Sequence, residues 1–468
     1  MMRRALSIGL AALLLAGCGK KKEEEPPLQP PPPRGAASAD ELTTQIGSAR
    51  GLDEALAPTS VTWTHVFAID DKRALIAGDV VGSTIALFTD DGGATWRSLK
   101  SDRDAWSGWA VGGKGSIVLG LGSRDGAPSP TSAALSGTRL SFASFDEPSL
   151  TAPIPLFPTA SGPVEGVLQT ESAVPAALGP GSAALISVES AHKAFVFYGG
   201  KPGADAVPPL KLPGGEKFVA VPYGRPPSLL SVKGHDLIER PFPPPGKPLD
   251  KPIRVPGIAS TQTLVADLSL PPSCETGGWS FQPVKQPKGV VVLGVSEQKT
   301  VVIPLPEAVS PTTRVGCGAG RVVVEAVAAK SGPPATWPSQ PDVPTLVGCD
   351  LAGKCVTPQN APFRPWPEQH KRAIVTTATE QGIIGVMSAR AGDRWGLYLA
   401  QGPGTGAIYE RPRVIGEGNG ARGRIELGAL VSFGKRALIL VSADVAGTAR
   451  RGWFVMVSDD GGTNWGPP

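Results

Sequence analysis

Tyr409-Glu410-Arg411 is the one place in this 468-residue chain where a phenol, a carboxylate and a guanidinium stand in a row. Such a trio could attack a sugar carbon and hold an anionic substrate. Hydrolysis of a glycosidic bond by two carboxyl groups depends on their separation, which spacing along a chain does not give. The simpler reading is a strand edge beside a charged loop. Tyr198, Tyr223 and Tyr398 are the only other tyrosines. Gly418-Asn419-Gly420-Ala421-Arg422-Gly423 fits Gly-x-Gly-x-x-Gly, but a dinucleotide fingerprint needs a helix after it. The run 425–433 that follows is strand-like. His65, His192, His235 and His370 stand apart, with no His-Glu-x-x-His. Asp70-Asp71, Asp90-Asp91 and Asp459-Asp460 lack the alternating ligands of a calcium loop and read as turn residues. No Gly-x-Ser-x-Gly elbow and no phosphate-binding Gly-rich loop occurs. The sequence therefore assigns no catalytic residue, no metal ligand and no cofactor.

Five cysteines divide as one plus four. Cys274, Cys317, Cys349 and Cys355 lack the paired spacings of a zinc site. An even number in an exported chain points to two disulfides. Cys349–Cys355 brackets a tight hairpin. Cys274–Cys317 falls in the loops after the first strands of two successive units, which neighbouring sheets would bring together.

Cys18 belongs to the N-terminal address. Arg3 and Arg4, an apolar run from Ala5 to Leu15 and small residues before a cut make a secretory signal. The apolar run is too short to span a membrane. Leu15-Ala16-Gly17-Cys18 resembles the lipobox of bacterial lipoproteins. The resemblance implies that Cys18 is acylated and becomes the first mature residue, with Gly19 after it favouring the outer membrane. Lysines 20–22, glutamates 23–25 and Pro26, Pro27 and Pro30 to Pro33 follow at once. They cannot form a core, and consecutive prolines make a stiff spacer. Residues 1–17 are thus read as a signal peptide, 18–57 as a lipidated disordered tether and 58–468 as the folded domain.

Gly 59 and Pro 50 exclude a helical bundle. The 45 basic and 41 acidic residues give a net charge of only +4, which implies no nucleic-acid partner. Beyond residue 57 short apolar runs alternate with Gly, Pro, Ser and Asp, the pattern of strands and turns. Examples are Ala74-Leu75-Ile76-Ala77, Val290-Val291-Val292-Leu293 and Val322-Val323-Val324. An all-β sandwich, barrel or propeller follows.

An internal repeat decides among these. Lys72-Arg73-Ala74-Leu75-Ile76 precedes Thr89-Asp90-Asp91-Gly92-Gly93-Ala94-Thr95-Trp96. Lys435-Arg436-Ala437-Leu438-Ile439 precedes Ser458-Asp459-Asp460-Gly461-Gly462-Thr463-Asn464-Trp465. The two ends resemble the Asp-box, or BNR repeat, carried here by Thr89, Asp91, Gly93, Thr95 and Trp96, and by Ser458, Asp460, Gly462, Asn464 and Trp465. In that family the box is a structural turn between the third and fourth strands of a propeller blade. The resemblance implies a β-propeller with Asp-box hairpins in its first and last blades. Units starting near Thr64, Trp106, Val164, Lys217, Thr263, Thr313, Arg372 and Arg424 suggest seven or eight four-stranded blades. The last unit ends too soon for a full fourth strand, so residues 58–63 are expected to pair onto it, with Trp63 near Trp465.

Aromatics in Pro-rich loops, namely Phe242, Trp337, Phe363 and Trp366, form a candidate ligand loop for a protein or glycan of the cell envelope. The family includes sialidases, which makes glycoside hydrolysis the alternative. Sialidases resemble one another in an Arg-Ile-Pro motif of the first blade. Arg73 stands in Lys-Arg-Ala instead, and Phe363-Arg364-Pro365 lies far down the chain. Arginines and a Tyr/Glu pair converging on a central pocket would favour the enzyme. A pocket of Gly, Ala and Val would favour a binding scaffold, which is the expected function.

Overall fold

The computed structural model describes residues between Arg50 and Gly466, apart from segments of which the longest are 122–138, 156–171, 256–273, 329–344 and 357–372. The described residues are all-β, with no helix among them. They form eight antiparallel sheets of four strands. The sheets begin at Thr62, Ala105, Ser172, Glu216, Cys274, Val309, Ala373 and Glu426; six of these lie within about four residues of the repeat starts read from the sequence, whereas the third and fifth sheets begin well after Val164 and Thr263. Seven sheets take their strands in chain order. The eighth adds Arg50–Gly51 from the front of the chain.

The middle strand of the eighth sheet is apolar on both sides because both faces of that sheet are covered. In Arg436–Asp444 every residue from Ala437 to Ala443 is buried, the continuous run of a strand without a wet face. Apolar clusters join the eighth sheet to the first through Leu438, Leu440, Ile76 and Leu87. Others join the seventh to the eighth, the sixth to the seventh and the fifth to the sixth.

The innermost strands form a cycle. Thr62–Ala68 neighbours Glu426–Phe433, which neighbours Ala373–Ala378. Next come Val309–Gly318 and Cys274–Thr276, and the last of these lies again beside Thr62–Ala68. The strands approach closely: a Cβ on Gly316 or Gly318 would run into the carbonyl oxygens of Thr376 and Ala378. The second, third and fourth sheets continue from the far side of the first. Ile117 and Phe145 pack on Phe67, Leu75 and Phe88. Tyr198, Phe218 and Leu229 then join the third sheet to the fourth.

The eighth sheet closes with a composite outer strand. Arg50 pairs with Val455 and Gly51 with Phe454, and the Leu52 amide donates to the Trp453 carbonyl (2.8 Å). Val457 and Gly466 exchange both backbone hydrogen bonds (2.8 and 2.9 Å). N-terminal sequence does complete the last sheet, but through residues 50–52 and not 58–63. Thr62 and Trp63 begin the innermost strand of the first sheet. Trp63 meets Trp453 edge to face at 5.7 Å, and the Trp453 indole donates to the Pro58 carbonyl. The folded part also starts before residue 58, since Ala57 is buried and Leu52 and Leu56 pack on the same core. An unpaired sheet edge recruits backbone groups, so side-chain composition did not mark this segment.

Candidate functional site

A cavity of about 40 Å³ lies where the five innermost strands meet. It is lined by Val66 and Ala68 of the first sheet, Cys274 of the fifth, Val315 to Cys317 of the sixth, Val375 to Thr377 of the seventh and Ala429 to Ser432 of the eighth. That volume holds a few water molecules, whereas ligand pockets run to about 300–1,000 Å³. Among the described residues no ionisable side chain lines it, since Cys274 and Cys317 are joined as a disulfide. Its polar groups are hydroxyls. Thr377 Oγ1 donates toward the Cys317 carbonyl and Ser432 Oγ, both at 3.0 Å. Ser432 Oγ in turn lies 3.2 Å from that carbonyl. Three sheets are thereby bridged at the cavity wall. Thr376 Oγ1 is buried with no hydrogen-bond partner among the described residues.

Tyr409 is nowhere near this cavity. It lies in the core between the sixth and seventh sheets, where its hydroxyl donates to the Leu346 carbonyl at 3.0 Å. Burial pushes that phenol far above its ordinary value. Burial likewise pushes Tyr198 up to about 12, and its hydroxyl donates to the Pro243 carbonyl. A buried phenol that donates to a backbone carbonyl is a packing residue rather than an activated nucleophile. Ile425 and the strand Glu426–Phe433 follow the Gly-rich segment, so no helix caps a phosphate there. His65 sits on an innermost strand with its ring stacked on Phe67 at 6.1 Å. Among the described residues no three His, Cys, Asp or Glu side chains gather as a metal site.

Phe242 packs, half-buried, on the core between the third and fourth sheets. Trp337, Phe363, Trp366 and Cys18 lie outside the described residues. Both expected disulfides are formed: Cys274–Cys317 with a Cα separation of 6.1 Å, and Cys349–Cys355 with 4.0 Å. Cys349 and Cys355 face each other across a hairpin. Cys274 and Cys317 are not in loops: they belong to adjacent innermost strands and line the cavity.

The two repeated turns are built alike. Thr89 Oγ1 donates to Asp91 Oδ1 (2.8 Å) and accepts from the Gly93 amide (2.8 Å). Asp91 also accepts from the Thr95 amide and hydroxyl. The Trp96 indole donates to the Gly93 carbonyl at 3.0 Å. Ser458, Asp460, Gly462, Asn464 and Trp465 repeat each of these bonds. Gly93 and Gly462 have φ of 95° and 98°, a region that favours glycine. Burial works against the Asp91 charge, but hydrogen bonds from Thr95, Thr89 and the Ala94 amide outweigh it and lower its pKa. The same balance lowers Asp460, through Asn464, Ser458 and the Thr463 amide.

Each turn also clamps its sheet to the preceding one. Arg436 of the eighth sheet donates to the Gly92 carbonyl at 2.8 Å. Gln401 and Arg413 of the seventh donate to the Gly461 and Gly462 carbonyls. Sequence reasoning missed these partners, because nothing in the spacing of Arg436, Gln401 or Arg413 points at a glycine carbonyl on another sheet. It also missed Asp350, whose Oδ1 accepts from the Ala352 and Lys354 amides, both at 2.9 Å.

Neither a protein-family model nor a curated protein matches the sequence. Among solved structures, the chain is similar to one of two prolyl endopeptidases at 10% identity, with 87% of this chain and 57% of that one covered and a TM-score of 0.39. The chain thus spans less than two thirds of that protein. The β-propeller domain of the Trilobed protease from Pyrococcus furiosus gives 7% identity, 87% and 97% coverage and a TM-score of 0.36. An ulvan lyase of polysaccharide lyase family PL25 gives 9%, 86% and 95%, and 0.38. Scores at this level assign no activity to the chain.

Proposed function

We propose that this chain is a lipid-anchored protein of the cell envelope whose eight sheets are propeller blades and whose role is to bind a partner rather than to catalyse. In this reading the turns 89–96 and 458–465 are Asp-boxes of the first and last blades, with a structural role. Cys18 carries the lipid, and the tether up to Ala49 holds the domain off the outer membrane. The observation that supports binding over hydrolysis is the lining of the cavity: aliphatic side chains, hydroxyls and a disulfide around about 40 Å³. Sialidase-type chemistry needs arginines for a carboxylate and a Tyr/Glu nucleophile. The one Tyr/Glu/Arg run in the sequence has its tyrosine locked in the core.

The ligand is an envelope protein or glycan, met by the surface rather than by the centre. One experiment tests this. The mature domain is titrated against purified envelope glycans and envelope proteins, and the same preparation is assayed on fluorogenic sialosides and hexosides. Saturable binding without turnover is the expected result. Turnover above the buffer rate, or no binding to either class, sinks the reading. Palmitate labelling that persists in Cys18→Ser would remove the anchor from it.

A further inference from the structure

We propose that Cys349–Cys355 is a thiol–disulfide exchange site, at which a dithiol delivers two electrons while the hairpin and its sheet stay in place. The inference is independent of what the domain binds, because it rests on the hairpin alone.

The two disulfides differ first in access. Cys355 is half-buried and sits at the surface, whereas Cys274 and Cys317 are both buried. Exchange requires a thiolate to reach the sulfur it attacks, and one sulfur of the hairpin bond can be reached. The bend that this bond closes is also held without it. Asp350 Oδ1 accepts from the Ala352 and Lys354 amides, both at 2.9 Å. The Asp350 amide donates to the Lys354 carbonyl and the Gly353 amide to the Asp350 carbonyl, both at 3.0 Å. Cys349 and Cys355 are cross-strand partners, with Gly348 and Val356 paired beside them. Opening the bond therefore leaves two sulfurs facing each other, positioned to close again. Both thiols also have a place in the fold. Cys355 Sγ lies 3.3 Å from the Pro304 carbonyl oxygen of the fifth sheet, an acceptor for its S–H. Cys349 is buried in the apolar cluster of the fifth and sixth sheets, where a free cysteine packs as a small hydrophobe.

A thiolate of the dithiol attacks Cys355 Sγ, and a mixed disulfide forms there as the S–S bond to Cys349 breaks. Cys349 leaves with the electron pair as a thiolate and takes up a proton, which its apolar surroundings favour. The second thiol of the reductant, as its thiolate, then attacks its own partner's sulfur and displaces Cys355, which takes up a proton and turns its S–H to the Pro304 carbonyl. Two electrons and two protons have passed to the protein, and the reductant departs as its own disulfide.

Reduction under native conditions tests this on the mature chain. Dithiothreitol is added in graded amounts, samples are quenched in acid, unfolded and alkylated, and each cysteine is read by mass spectrometry. Cys349 and Cys355 are expected to be reduced at least ~100-fold faster than Cys274 and Cys317, because access controls the rate of exchange. Their bond should form again when oxidised glutathione replaces the reductant. With reduced glutathione, a monothiol, the mixed disulfide should be found on Cys355 and not on Cys349. Hydrogen exchange at amides 345–356 should change less than ~3-fold on reduction, since no local opening accompanies it. Four results would overturn the proposal: both disulfides reduced at one rate, a Cys349–Cys355 bond that resists until the protein unfolds, glutathione carried on Cys349, or a hairpin that loses its protection on reduction.

Discussion

Among the described residues, three hairpins join the third and fourth strands of a sheet with an aspartate tying the turn, and they are finished in two different ways. At 89–96 and 458–465 the carboxylate is joined by a tryptophan that folds back to its own glycine carbonyl. The turn is then pressed against the sheet before it, where Cβ atoms on Gly93 and Gly462 would lie 2.5 Å from Leu438 and Ile384. At 349–355 Asp350 accepts the same amide four residues on, but a disulfide closes the turn. There a Cβ on Gly353 would find nothing nearer than 3.6 Å. The carboxylate is the constant part, because in all three turns it accepts the amide four residues on. The second fastening is interchangeable. A tryptophan holds the turn tightly against its neighbour, whereas the disulfide-closed turn meets the fifth sheet more loosely, through Leu351 and Cys355.

Removing the second fastening should separate the two designs most widely. Trp96→Ala leaves a void at the seam of the first and eighth sheets and should cost about 3–5 kcal/mol in urea unfolding. Replacing Cys349 and Cys355 together by Ala should cost about 2 kcal/mol, the loop-closure term of a short ring. Equal costs would break the comparison. Glycine comes next. Gly93→Ala combines positive-φ strain with a collision against buried Leu438 and should cost about 3 kcal/mol. Gly353→Ala meets strain alone, about 1 kcal/mol. A matching pair of melting shifts would mean that docking on the neighbouring sheet contributes nothing.

The smallest effect is in acid. The folded pKa values of Asp91 and Asp460 are depressed, so their contribution is present above the unfolded value of about 3.9. It is lost as pH falls through the folded values. Asp91→Asn should therefore lower stability at pH 7 and flatten the decline below about pH 4. An Asn variant whose melting temperature falls with acid as steeply as the parent's would show that the carboxylate is not what titrates.

The twin turns were legible because every bond within them is local: Thr89, Asp91, Gly93, Thr95 and Trp96 make their contacts inside eight residues. The cysteine pairs were legible for a related reason, since a repeat of strand units places Cys274 beside Cys317 once neighbouring units are adjacent. What lay outside the sequence was anything decided between distant sheets. Arg436 reaches Gly92 across 344 residues of the chain. The fifth sheet's innermost strand comes to rest beside the first sheet's, a choice made by packing and not by period. Tyr409 looked like chemistry because it neighbours Glu410, but its ring points into the core. Alternation along a chain does not tell which face a neighbouring sheet will cover.

The composite edge of the eighth sheet has a consequence for the order of events during synthesis. Arg50 and Gly51 leave the ribosome among the first folded residues, yet their partners Val455 and Phe454 are among the last. Until those emerge, the opening segment has no edge to join, and Leu52, Leu56 and Ala57 have no eighth-sheet surface to cover. Contacts of such long sequence separation form late and slowly. The beginning of the chain must wait for its end.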